Sequence, residues 1–205
     1  MGKDYASVDS AFGFQPYGEV LRVGIYAVAT APTINVYHND IVVHGGTGAQ
    51  TPHCGYLPII EDGSVPDGSA QILGSVVAIM DHDMKHVPYI AAAATGNGTI
   101  AGYVMVADHP QQMFIAQEDG DTNAIDVAEI GFNIDLISVA LCAGDSNTGL
   151  STQELDSTTA ANTEALQFRI VKPHEDDTIA DDTQANARWV VIPNEHFYGA
   201  TKAGA

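Results

Sequence analysis

The sequence predicts a mainly β protein, an antiparallel β-barrel or sandwich with one short helix and an extended N-terminal arm. Three observations carry this. Short apolar segments recur at close intervals, each ended by glycine, proline, asparagine or aspartate. The stretch "LQFRIV" alternates with the two-residue period of a strand. Only "NAIDVAEIG" carries the start and stop chemistry of a helix.

In chain order, residues 1–20 form the arm and residues 21–205 a single β domain. The stretch "AFGFQPYGEVLRVGIYAVATAP" mixes aromatics, glycine and proline without a helical period, and reads as an extended arm followed by a strand. Strands are then expected in "NVYHND", "IVVHGG", "GYLPIIEDG", "ILGSVVAIM", "YVMVAD" and "QMFIAQEDG". That spacing suits a barrel or sandwich. In "NAIDVAEIG", Asn123 is the expected N-cap, Asp126 sits near the positive helix end, and Gly131 stops the helix. In "LQFRIV", Leu166, Phe168 and Ile170 are expected to face the core while Gln167 and Arg169 face water. "ARWVVIPN" is a further strand, with Trp189 as a core anchor and Pro193 at its end or on an edge, because proline cannot donate to a ladder. Between these two strands the acidic connection at 172–187 is far longer than an ordinary hairpin loop.

Composition narrows the function. An apolar fraction of 45% over 205 residues is enough for a packed core. With 26 acidic and 7 basic residues the formal charge is −19, which repels nucleic acid and anionic lipid and points to a protein partner. The longest apolar runs, "YIAAAA" and "VVAIM", are too short to span a bilayer. Neither export nor membrane insertion is expected. Cys54 and Cys142 allow one disulfide at most, cannot build a multi-cysteine metal site, and read as reduced, part-buried thiols.

Several stretches invite catalytic readings and fail on chemistry. "MDHDMKH" places His82 and His86 four residues apart, but Asp83 follows His82 where a zincin helix needs glutamate, and the neighbouring β-branched run and Pro88 favour a polar turn between strands. "VVHGGTGAQTPH" lacks the lysine and hydroxyl of a phosphate loop and reads as a glycine turn between strands. "AGDSNTG" has two residues between Ser146 and Gly149 where a nucleophile elbow allows one. "EDDTIADD" lacks EF-hand spacing. No catalytic residue, metal ligand or cofactor is assigned, and an enzyme is not expected. The more suggestive group is Tyr5, Phe12, Phe14, Pro16 and Tyr17 in the arm, because aromatics near a chain end are hard to bury at home and anchor interfaces well. The competing arrangement is an arm folded back on its own barrel.

Taken together, "GSVVAI", "YVMVADHPQQMFIAQEDG", "TGLSTQELD" and "ARWVVIPNEH" resemble the capsid-associated structural proteins of tailed bacteriophages, of the decoration or cement type. The likeness covers residues 56–196 and is densest at 103–120 and 148–156. It departs at "MDHDMKH", where those proteins commonly have a proline–aspartate turn, and at 172–187, where their connection is shorter. The resemblance implies a non-enzymatic all-β protein on the outer surface of a virion, bound to the major capsid protein and to other copies of itself and tying capsomers together. Shells with three-fold junctions favour a homotrimer. Two rival functions fit some of the same features: a calcium-assisted or carbohydrate-binding adhesion module, and a metal-dependent hydrolase built on His82 and His86.

Overall fold

The computed structural model describes residues 9–62, 71–137, 144–174 and 185–199. Thirteen strands and one 3-10 turn run in the order β1 (Gln15–Tyr17), β2 (Val23–Ala29), β3 (Val36–Tyr37), β4 (Ile41–Thr51), β5 (Gly55–Asp62), β6 (Ile72–Asp81), β7 (Tyr89–Ile90), β8 (Ile100–Ala107), β9 (Met113–Gln117), η1 (Val127–Glu129), β10 (Asn133–Leu136), β11 (Leu155–Ala161), β12 (Phe168–Pro173) and β13 (Arg188–Pro193). The expected mainly β architecture holds. Among the described residues no helix is long and apolar enough to cross a membrane.

The strands divide into a closed barrel, β2-β5-β4-β6-β8, a six-stranded sheet, β1-β9-β13-β12-β10-β11, and the small pair β3-β7. Barrel pairings are antiparallel except β2 with β5, which run parallel at Ala27↔Ile59 and Val28↔Ile60. Tyr26, Val28, Val76, Ile79, Val104 and Val106 belong to one buried cluster, whereas Ala27, Ile100 and Tyr103 belong to another that packs against Cys54, Leu57 and Ile59. Strands covered on both faces read as continuous apolar runs, which is why "SVVAIM" and "YVMVA" lack clean alternation. Gly74 sits at φ 151, and a Cβ there would lie 2.1 Å from the Ala107 carbonyl, so only glycine lets β6 approach β8 this closely.

The largest cluster joins the two sheets. Phe114, Ile134, Leu155, Phe168, Ile170 and Trp189 pack with Ile41, Ile72 and Ala107 from barrel strands. Trp189 is fully buried, as expected, and Pro193 ends β13.

Four expectations need correction. The glycines of "VVHGGTGAQTPH" lie inside β4, where the register against β5 shifts between His44 and Gly48; they accommodate an irregularity in a strand and make no turn. Gln167 is fully buried, because Leu136 N donates to its Oε1 at 3.3 Å and its own N–H donates to Asp135 Oδ1 at 2.9 Å. The helix shrinks to three residues of 3-10 geometry, capped by Asp126 in place of Asn123. Asp126 Oδ1 accepts from Ala128 N while Glu129 Oε2 accepts from Asp126 N, a reciprocal capping box. Finally, residue 20 does not part an arm from a body, because β1 is an edge strand of the six-stranded sheet and pairs with β9.

Candidate functional site: the N-terminal segment and its groove

The segment at 9–17 is fixed along its length. Ser10 N donates to Gln117 Oε1 at 3.3 Å, Asn39 Nδ2 donates to the Phe12 carbonyl at 3.0 Å, and Phe14 N donates to the Asn39 carbonyl at 2.8 Å. Gly13 makes the turn between these contacts at φ 73, and a Cβ there would stand 2.4 Å from Ser151 Cβ and 2.5 Å from the Asn39 carbonyl. Ser75 Oγ then donates to the Phe14 carbonyl at 2.6 Å.

The five arm residues separate accordingly. Phe14 is wholly buried in its own chain, stacked on Phe168, so it offers no surface to another subunit; here the folded-back arrangement wins, because a short edge strand carries the ring into the core. Phe12, Pro16 and Tyr17 remain half-buried. Arg188 lies 5.2 Å from the Phe12 ring centroid and Lys172 5.2 Å from that of Tyr17, geometry in which the ring quadrupole attracts the cation. Pro16 sits on an edge strand, where its missing N–H costs little. Tyr5 lies outside the described residues, as do Cys142 and the acidic stretch 175–184.

Beside the segment lies a groove of about 650 Å³, lined by Ser10, Phe12, Gln15, Asp145, His174 and Arg188 among others. Its far wall is the 144–152 loop, pinned to the end of β3 by His38 N donating to the Gly149 carbonyl and Ser151 N to the His38 carbonyl. The Asp145 carboxyl is held below its usual pKa by the Asn147 N–H, and Arg188 supplies a cation elsewhere in the lining. The groove therefore carries one anion and one cation among hydroxyl groups, a surface suited to polar docking.

Behind the segment is a carboxylate cluster that the sequence showed only as scattered acids. Gln117 Nε2 donates to Glu154 Oε1 at 3.0 Å, Asn186 Oδ1 at 3.3 Å and Asp9 Oδ1 at 3.4 Å, so one amide joins the N-terminal segment to β11's approach and the foot of the acidic connection. Next to it, fully buried Glu118 accepts from Ile125 N at 2.6 Å and Ala187 N at 3.4 Å. Burial pushes Glu118 up to about 8 despite these donors, and burial with nearby Asp9 and Asp119 pushes Glu154 up to about 7.

A second feature missed in the sequence follows the segment. Val20, Leu21, Val23 and Ile25 are between 39% and 50% exposed. Within β2, Val23 and Ile25 alternate with Tyr26 and Val28, which turn inward, so the strand carries apolar side chains on both faces. Between Leu21 and Val23 lies Arg22, whose Nε donates to buried Asp108 at 2.7 Å while Tyr26 Oη donates to the same carboxylate at 2.5 Å. Apolar residues on both faces of one strand were the legible signal.

His82 and His86 fall where a polar corner was expected. Asp81 ends β6, its Oδ1 accepts from Asp83 N and Lys85 N, each at 2.9 Å, and Met84 makes the turn at φ 64. His82 Nε2 stands 3.7 Å from Asp83 on an exposed turn. Among the described residues no group of three or more His, Cys, Asp or Glu is placed to hold a metal ion. No protein-family model, no curated protein and no solved structure matches this chain.

Proposed function

We propose that this chain is a virion structural protein of the capsid-decoration type, which binds the outer surface of an assembled phage shell and strengthens contacts between capsomers. The single observation that carries the proposal is the exposed apolar run Val20, Leu21, Val23 and Ile25 on a chain of formal charge −19. A strongly charged surface favours solution, so a closely spaced set of exposed aliphatics is the place where a partner removes apolar area from water. Phe12 and Tyr17, half-buried upstream, would extend the contact. The partners are the major capsid protein and, around a three-fold junction, two further copies of the chain. Many modest contacts summed over a shell give large stabilisation without high affinity per copy.

The test is co-sedimentation of the purified protein with assembled capsids and, separately, with free capsid subunits. Retention on shells alone is expected. Val23→Ser with Ile25→Ser should lower that retention by about tenfold or more, on the order of 1 kcal/mol per truncated apolar contact, with the fold intact by circular dichroism. Because Phe14 belongs to the core, the informative truncation removes residues 1–11 and leaves Gly13 and Phe14 in place. Failure to pellet with shells, or undiminished retention of the double variant, would overturn the proposal.

A further inference from the structure

A second cavity, of about 490 Å³, is lined from the 109–111 turn, β12 and the end of β13. Its polar lining is Arg169, His109, Gln111, Asn194 and His196, and its apolar wall includes Ile192 and Pro193. Among the described residues lining it there is no carboxylate, although the chain carries 26 acidic residues against 7 basic ones. Carboxylates distributed at random over so acidic a surface would be expected at most cavities.

The donors are positioned in advance. Arg169 extends from β12 and is oriented by two amide oxygens, with Nε donating to Asn133 Oδ1 at 3.1 Å and Nη2 to Asn194 Oδ1 at 3.3 Å. Asn194 is itself fixed, since its Nδ2 donates to the Leu166 carbonyl at 2.8 Å and the Glu164 carbonyl at 2.9 Å. At His109 the ring Nδ1 accepts from Gln111 N at 3.1 Å, which leaves the neutral ring's proton on Nε2. His196 repeats the arrangement, with Nδ1 accepting from Tyr198 N at 3.0 Å. It is 2% exposed. Burial lowers the His196 pKa to about 4, against a weaker opposing pull from the Leu73 carbonyl, so this ring stays neutral and keeps its Nε2 proton.

We infer that this cavity is a binding site for a compact oxyanion, a carboxylate or phosphate group, held by the Arg169 guanidinium and His109 Nε2 with the Gln111 amide at the mouth. A guanidinium already oriented by two amide oxygens carries a permanent positive charge and loses little side-chain entropy on meeting such a group. The overall negative charge of the chain opposes the approach, but that field is screened beyond about 8 Å at physiological ionic strength, whereas contacts inside the cavity are not.

The full chain is titrated with sodium phosphate and, in a second arm, with sodium acetate, at constant ionic strength balanced with chloride. Backbone amide NMR of residues 109, 111, 169, 192 and 194–196 is the readout. Saturable shifts confined to these residues at millimolar anion are expected in at least one arm, and the arm that saturates first names the source. Gln111→Glu adds a carboxylate at an exposed position without touching the Arg169 contacts and should weaken binding by about tenfold or more. Arg169→Lys keeps a charge but loses the plane that Asn133 and Asn194 orient, and should also weaken binding. Shifts that stay linear with concentration, spread over the surface, or persist unchanged in Gln111→Glu would overturn the inference.

Discussion

The rings of Phe14 and Phe168 stack with 4.8 Å between centroids and 21° between planes, which ties the N-terminal segment to the centre of the six-stranded sheet. Phe114 meets the same Phe168 ring edge-on at 6.4 Å. The segment is therefore part of the core that the sheet needs in order to pack against the barrel.

Phe14→Ala should lower the free energy of unfolding by about 3–5 kcal/mol, the range for removing a fully buried phenylalanine. Phe12→Ala, at a half-buried position over Arg188, should cost no more than about 1 kcal/mol. Denaturant unfolding of both variants checks the contrast; equal losses would mean that the two aromatics share one environment.

Gly13→Ala tests how the segment enters the core. The added methyl meets Ser151 Cβ and the Asn39 carbonyl, and the backbone is in the left-handed region at φ 73. A loss of more than about 1 kcal/mol is expected, because strain and overlap act together. Thermal melting of the variant measures it, with Gly18→Ala, at φ 76 but with nothing near the new methyl, separating strain from overlap.

Stability should fall as pH rises above neutrality. Glu118 and Glu154 have folded pKa values raised to about 8 and about 7 from 4.5, so above pH 4.5 the folded state holds protons that the unfolded chain has released. Their contribution is complete below pH 4.5 and is lost as pH climbs through those values. His196 acts oppositely: its pKa is lowered from 6.5 to about 4, so its contribution is lost as pH falls through that window. Between about pH 7.5 and 8.5, where His196 is neutral in both states, Glu118 sets the slope among these three groups. Unfolding free energy should decline over that interval in the parent protein, and less steeply in Glu118→Gln.

The Asp108 carboxylate, 3% exposed, is satisfied by Tyr26 Oη and Arg22 Nε. Tyr26→Phe removes one donor from a buried charge and should cost about 1–3 kcal/mol. Burial and this hydrogen bond to Asp108 also raise the Tyr26 pKa. In an alkaline titration followed by tyrosinate absorbance, at least one tyrosine fewer should ionise in the folded parent than on unfolding, because burial raises Tyr37 as well.

What could be read locally was read well. Trp189, Phe168 and Ile170 lie in segments whose neighbours alternate or terminate cleanly, and all three are buried. The "MDHDMKH" corner was legible because Asp81 satisfies the turn with its own side chain. By contrast, β11 escaped notice. "LDSTTAA" is small and polar, and it forms a strand because β10 pairs with it, including Asn133↔Ala161 and Leu136↔Leu155. Gln167 was misplaced for a related reason: alternation puts it on a polar face, but the Asp135 carboxylate and the Leu136 N–H meet it inside the fold.

The sequence by itself determined a β-rich chain of closely spaced strands, a strongly acidic surface, and the main anchors of the core, because periodicity, turn chemistry and charge are properties of a few neighbouring residues. Tertiary structure alone decided which strands close the barrel, that Phe14 turns inward, that Glu118 keeps its proton near neutral pH, and that Arg169 and His109 line one cavity. Each of these depends on segments distant in the chain meeting in a single register, and on the burial that follows, which no local pattern encodes.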